Sequence, residues 1–265
     1  MTTARADLPI AVFDSGIGGL TVVKALRRLL PEEDLVYLGD TARVPYGDKS
    51  HATIQRYTVQ AGAILARHQP KLMVIACNTA SAHGLAALQA QAPCPVIGVI
   101  EPGAEAAAAV SGPVGVIGTL ATIQSGAYED AIRRRNPAAA IHSLACPLLV
   151  GFAEEGWLDD PITDAVCRRY LNQIPFEVHT VVLGCTHYPI LLPSLARTRP
   201  GTTWLDSGEL TAATVERQLR GGLGFRTASD RGRLRILLTD AGSRIQEVGG
   251  RFLGEPLESM ELVEF

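Results

Sequence analysis

Lysine is almost missing from this chain. Of 24 basic side chains only Lys24, Lys49 and Lys71 are lysine, and the other 21 are arginine. A pyridoxal enzyme needs a lysine for its Schiff base. Lys24 falls inside a predicted helix and Lys71 precedes a strand, at the wrong end for a cleft, so only Lys49 lies near a cleft mouth. Pyridoxal chemistry is therefore disfavoured. No apolar run approaches the ~20 residues of a membrane span. Met1 to Pro9 lack the apolar segment of a signal peptide, so the expected location is the cytoplasm, where thiols stay reduced. The net charge of −3 comes with no basic stripe, so nucleic acid is not an implied partner. Five cysteines, at 77, 94, 146, 167 and 185, include no Cys-x-x-Cys, which suggests neither a disulfide framework nor a zinc knuckle. Cys185 with His187 is a weak metal pair on its own, and no metal is expected.

What is present is a chain of 265 residues, 47% hydrophobic, long enough for a substantial core in one large or two small domains. Short apolar strands alternate with helical stretches, the pattern of an α/β protein with parallel sheets. Strands are expected at 10–14, 34–39, 72–76, 96–99, 114–118, 141–145, 180–183 and 203–206. Helices are expected at 20–30, 51–68, 81–91, 102–110, 123–135, 161–173, 190–197 and 210–219. A tail adds a strand at 234–239, a helix near 243–252 and a strand near 260–263. The strand ends Asp14, Asp40 and Cys77 match Gly118, Cys146 and Cys185 at offsets of 104, 106 and 108 residues, which predicts two related halves. Ligands bind beyond the carboxyl ends of strands in open α/β sheets. Two facing halves would set Cys77 and Cys185 on opposite walls of one cleft.

Those two cysteines carry most of the information. Each ends an apolar run and opens a small, polar, helix-starting segment: Cys77-Asn78-Thr79-Ala80-Ser81 and Cys185-Thr186-His187-Tyr188-Pro189. A lone strand-end cysteine is most often a small buried hydrophobe. A matched pair suits a reaction with two similar acid/base groups, and inverting a stereocentre is one: one group takes a proton from one face, the other donates to the opposite face. A helix N-terminus is expected to lower the thiol pKa. Asp14-Ser15-Gly16-Ile17-Gly18-Gly19 only superficially resembles a dinucleotide loop, because a carboxylate there would repel a pyrophosphate. Its glycines would let backbone amides approach a small anion. Asp14 is either a buried helix cap or a carboxylate near a substrate ammonium and Cys77. Asp206 reads as a cap. Pro45-Tyr46-Gly47 is a rigid turn, or a wall of N–H groups and a phenol lining a carboxylate pocket. Arg43 reads as a structural ion pair. Thr119 and Thr122 suit either capping or an anionic ligand. His187, beside Cys185, could hold or supply a proton near neutral pH. Glu154 and Glu155 read as solvated acids.

Taken together, Phe13 to Leu20, Gly39 to Gly47, Ala76 to Ser81, Gly98 to Pro102 and Leu183 to Pro189 run in family order, and the chain resembles glutamate racemases of the cofactor-independent Asp/Glu racemase superfamily. The resemblance implies two α/β domains with the site between them, residues 1–98 plus 208–265 and residues 99–207. It implies Cys77 as the base on the D-glutamate face, Cys185 on the L-glutamate face, and Asp14 and His187 as their respective helpers. Glu154 falls where the family has a further catalytic glutamate. The family's usual Pro-Leu pair is replaced here by Gly151-Phe152-Ala153, so Glu155 competes for that register. Ser15, Pro45, Tyr46, Gly47, Asn78, Thr79, Thr119, Thr122 and Thr186, with Asp14 and His187, match the substrate-binding set. No cofactor, a homodimer, and a product used in peptidoglycan synthesis are also implied. The N-terminal extension of the type that responds to a nucleotide precursor of the cell wall is absent, so that response is not expected. Sister activities on aspartate or a hydantoin, and a binding protein with a vestigial site, are the alternatives.

Overall fold

The computed structural model describes residues 3–265. Ten strands are arranged in two sheets: β1 (Ile10–Asp14), β2 (Leu35–Gly39), β3 (Leu72–Ile75), β4 (Val96–Gly98), β5 (Val114–Gly118), β6 (Ile141–Ala145), β7 (Thr180–Gly184), β8 (Thr203–Asp206), β9 (Leu234–Leu238) and β10 (Glu261–Leu262). The first sheet runs β10-β9-β2-β1-β3-β4 and the second β6-β5-β7-β8. Every pairing is parallel. The core of the first sheet, β2-β1-β3-β4, and the whole of the second share one order, so the repeat foreseen from the strand offsets is a repeat of topology. Strands β1, β2, β3, β5 and β7 are buried throughout, as expected of apolar runs covered by helices on both faces.

That order places the site. The chain leaves β1 for β2 on one side and returns through β3 on the other, so the loops after β1 and β3 diverge and open a crevice. Asp14 ends β1 and Cys77 follows β3; Gly118 ends β5 and Cys185 follows β7. The two crevices face each other. The tail joins the first sheet, and its helix Ile245–Leu253 buries Val248, Phe252 and Leu253.

Two helical expectations need correction. The predicted helix 123–135 is two, Leu120–Gln124 and Ala127–Arg135, broken where Gly126 adopts φ 67°, a left-handed conformation that suits glycine at a helix end. The segment before Glu154, for which the sequence pattern predicts no helix, is the helix Leu148–Glu155, stopped by Gly156 at φ 77°. Capping fits elsewhere: Asp206 accepts from the N–H groups of Gly208 and Glu209, at 2.7 and 3.4 Å.

Candidate active site

A cavity of about 320 Å³ lies between the two crevices, lined from both sheets. That is near the lower end of the ~300–1,000 Å³ usual for ligand pockets, a size for a small molecule. Its walls include Ser15, Cys77, Asn78 and Thr79 on one side, Thr119, Cys185, Thr186 and His187 on the other, and Glu154 from the helix Leu148–Glu155. Pro45, Tyr46 and Gly47 close one edge. Gly16, Val44, Asp48, Leu120, Pro147, Val150 and Gly151 complete the wall, and none of them is among the site residues expected from the sequence.

Cys77 caps the helix Asn78–Gln89. Its Sγ accepts from Ala80 N–H at 3.4 Å and donates to Ser15 Oγ at 3.3 Å. The helix terminus was expected to lower this thiol's pKa. Burial instead pushes it up to about 12, and the Asp14 carboxylate adds to the rise, while the bonds with Ser15 and Ala80 only partly offset it. The thiol is 6% exposed, so the lost hydration of a thiolate outweighs one helix end.

Cys185 heads a chain of groups. His187 Nδ1 lies 3.8 Å from Cys185 Sγ, and His187 Nε2 lies 3.0 Å from Glu154 Oε1. A carboxylate can only accept, so Nε2 carries a hydrogen toward Glu154, and Nδ1 faces the thiol. Burial opposes charging of the ring, but hydrogen bonds to Cys185 and Glu154, and their negative charge, raise its pKa to about 10. Phe252 packs edge-on against the ring, with centroids 5.0 Å apart. The geometry separates the two adjacent glutamates. Glu154 reaches His187, whereas Glu155 turns away to Arg244 at 2.9 Å.

Asp14 and Thr122 stand one layer behind the wall. Asp14 is 1% exposed; its Oδ2 accepts from Gly16 N–H at 2.9 Å and its Oδ1 has no partner. Burial raises its pKa, against the charge of His187 and the N–H groups of Gly16 and Gly19. Thr122 shares hydroxyl contacts with Thr79 at 3.1 Å and Thr119 at 2.9 Å, and Thr79 meets Thr119 at 2.9 Å. Thr119 also caps its helix, as one of its two sequence readings expected, while lining the cavity. Asn78 Oδ1 accepts from Tyr128 at 2.7 Å, which leaves its buried Nδ2 unpartnered at the cavity. Tyr46 lines the cavity, but its hydroxyl donates to Asp40 Oδ2. Arg43 pairs with the same carboxylate at 2.6 Å, as a structural ion pair.

Comparison with known proteins agrees with the two-sheet fold. The family model described as Asp/Glu/Hydantoin racemase matches residues 19–215. The chain belongs to that family. It is an isomerase, and its relatives include the curated glutamate racemase of Geobacter metallireducens, 49% identical over 252 residues, covering 94% of this chain and 93% of the relative. Solved structures agree in fold. The glutamate racemase of Francisella tularensis, in complex with D-glutamate, superposes with a TM-score of 0.93 at 38% identity, over 98% of each chain. That of Thermus thermophilus, in complex with beta-chloro-D-alanine, gives 0.90 at 44% identity, again over 98% of each.

In this racemase the packing of the site also requires glycine in the loop after β1. A Cβ on Gly18 would lie 2.4 Å from the His187 ring and 2.6 Å from Thr186 Oγ1, and one on Gly19 would lie 2.4 Å from Asp14 Cβ. The loop is glycine because site side chains from both domains occupy that space.

Proposed function

We propose that this racemase interconverts L- and D-glutamate by two-base proton transfer between Cys77 and Cys185, with no cofactor. The observation that carries this is the pair of thiols, one from each domain, on one small cavity. From L-glutamate, Cys185 takes the α-proton while His187 and Glu154 stabilise the thiolate it starts from. Cys77, held protonated by burial, donates to the opposite face. From D-glutamate the roles reverse, with Asp14 and Ser15 beside Cys77. Alignment of both thiols with one α-carbon supplies the geometry that so weak a carbon acid needs.

The cavity wall has no lysine or arginine. Substrate carboxylates would therefore be held by neutral donors: Asn78 Nδ2, the hydroxyls of Ser15, Thr79, Thr119 and Thr186, and backbone N–H groups of the Pro45–Gly47 turn. The same absence leaves no Schiff-base partner there; Lys71 is buried against Glu33 at 2.7 Å. The protein acts in the cytoplasm as a homodimer, and its D-glutamate serves peptidoglycan synthesis, as the family resemblance implies.

The test is purified protein with L-glutamate in D₂O, without added cofactor, followed by proton NMR at Cα and by optical rotation. Loss of the α-proton signal with decaying rotation is expected, with aspartate turned over far more slowly. Cys77→Ser and Cys185→Ser each abolish racemisation. Near-normal racemisation by either variant defeats the two-base assignment.

A further inference from the structure

Each L-to-D turnover leaves Cys185 protonated and Cys77 deprotonated, the reverse of the starting form. Before the next L-glutamate can react, a proton must leave Cys185 and another must reach Cys77. The two thiols are not equally placed for this. Asp14, beside Cys77, is 1% exposed and lines neither the active-site cavity nor the one next to it. Glu154 lines two. One is the active-site cavity; the other, about 360 Å³, is bounded by Gly16, Ile17, Thr41, Val44, the Gly242–Ile245 turn and Val248. Arg244 and Glu155 on its wall have side chains 52% and 55% exposed, so this second cavity opens to solvent. The Glu154 side chain is 48% exposed, while that of His187, hydrogen-bonded to it, is 11% exposed. Glu154 thus stands between the active-site cavity and a second, more open one.

We propose that the chain Cys185–His187–Glu154 is a proton exit, which resets the enzyme after each L-to-D turnover by releasing the Cys185 proton into the second cavity. The proposal rests on the two-thiol assignment. The charged His187 ring first gives its Nε2 proton to Glu154 Oε1, and the carboxylic acid gives it to water in the second cavity. The remaining ring hydrogen exchanges to Nε2. The Cys185 S–H bond then breaks and its proton goes to His187 Nδ1, which restores the thiolate beside a charged ring. Cys77 takes its proton from water in the emptied active-site cavity. One proton leaves and one enters, so net charge is unchanged. The C-terminal tail holds the outer end of the route: Arg251 Nη1 donates to Glu154 O at 3.0 Å, and Arg244 holds Glu155 aside.

Tracer perturbation reads the reset directly. Trace-labelled glutamate at L/D equilibrium is mixed with protein and a large excess of unlabelled L-glutamate. If the enzyme resets slowly, most of it is held in the form that binds D-glutamate, and label is driven transiently toward L. Ser243→Trp places a large side chain in the second cavity from its exposed outer wall, remote from the thiols. It is expected to slow the reset about tenfold, giving a larger displacement of label, with kcat/KM at low substrate unchanged. Glu154→Gln keeps an acceptor for His187 but cannot carry the proton. It should slow the reset by about 100-fold, the scale of one positioned acid/base group, and enlarge the displacement even at its reduced rate. Displacements equal to wild type in both variants overturn the exit route while leaving the two-thiol reaction standing. A wild-type protein that exchanges no α-proton in D₂O defeats the two-thiol assignment itself, and this proposal with it.

Discussion

At the scale of single residues, burial decides the ionisation of the site. The sequence places Cys77 at a helix start, which argues for a reactive thiolate; the folded environment removes its water, and desolvation wins. Alkylation of Cys77 by iodoacetamide, followed by mass spectrometry, is therefore expected to be slow at pH 7 and to climb through the alkaline range toward its pKa of about 12. A plateau reached near pH 8 would contradict this. Asp14 gives the second residue-scale prediction. Its Oδ1 is buried without a partner, and its pKa is raised above 3.8 by burial. At low pH folded and unfolded chains both carry the proton and no penalty exists. As pH rises from 3.8 through the raised folded-state value, the unfolded chain loses its proton first and stability falls. Asp14→Asn should thus stabilise the fold at pH 7 by about 1 kcal/mol, roughly 2–4 °C in Tm. The gain should shrink as pH approaches 3.8, and racemisation should fall at the same time. A destabilised Asp14→Asn at pH 7 would mean that the carboxylate is stabilised by its surroundings.

Among the elements, loops and helix ends carry the function and the strands aim them. The glycine loop after β1 is tight because His187 and Thr186 press into it from the other sheet. Gly18→Ala adds a methyl where the His187 ring sits. The ring must shift by the order of an ångström, and misplacement on that scale costs roughly 10²-fold in rate. The expected result is a loss in kcat of that order with circular dichroism unchanged; full activity would mean that the His187 position is unimportant. The strands themselves were legible in the sequence, because apolar runs bounded by Asp14, Cys77 and Cys185 have no other use in a parallel sheet. The helix Leu148–Glu155 was not, because glycine at 151 and the even spread of its apolar residues hide its period.

Across the whole molecule, hydrogen bonds between the two domains hold the cleft together. Tyr128 of the second domain donates to Asn78 of the first, and the Thr79–Thr119–Thr122 cluster crosses the same boundary. Thr21 Oγ1 donates to Thr186 O at 3.0 Å. Tyr128→Phe leaves Asn78 Oδ1 buried and unpaired. It should cost about 1–2 kcal/mol in urea unfolding and raise KM more than it lowers kcat, since the amide is freed to turn from the substrate. An unchanged KM would detach Asn78 from binding.

By itself the sequence determined the α/β class, the two related halves, the thiol pair, and Asp14, His187 and Glu154 as groups worth weighing. These are local facts, since hydrophobic period and residue type are set by neighbours along the chain. Only the tertiary structure decided that Glu154 rather than Glu155 meets His187, 33 residues further on, and that Asp14 and Thr122 stand behind the wall. It also decided that burial overrides a helix end at Cys77. Distance and desolvation depend on groups brought together from far apart in the chain, and nothing in the local pattern of residues records them.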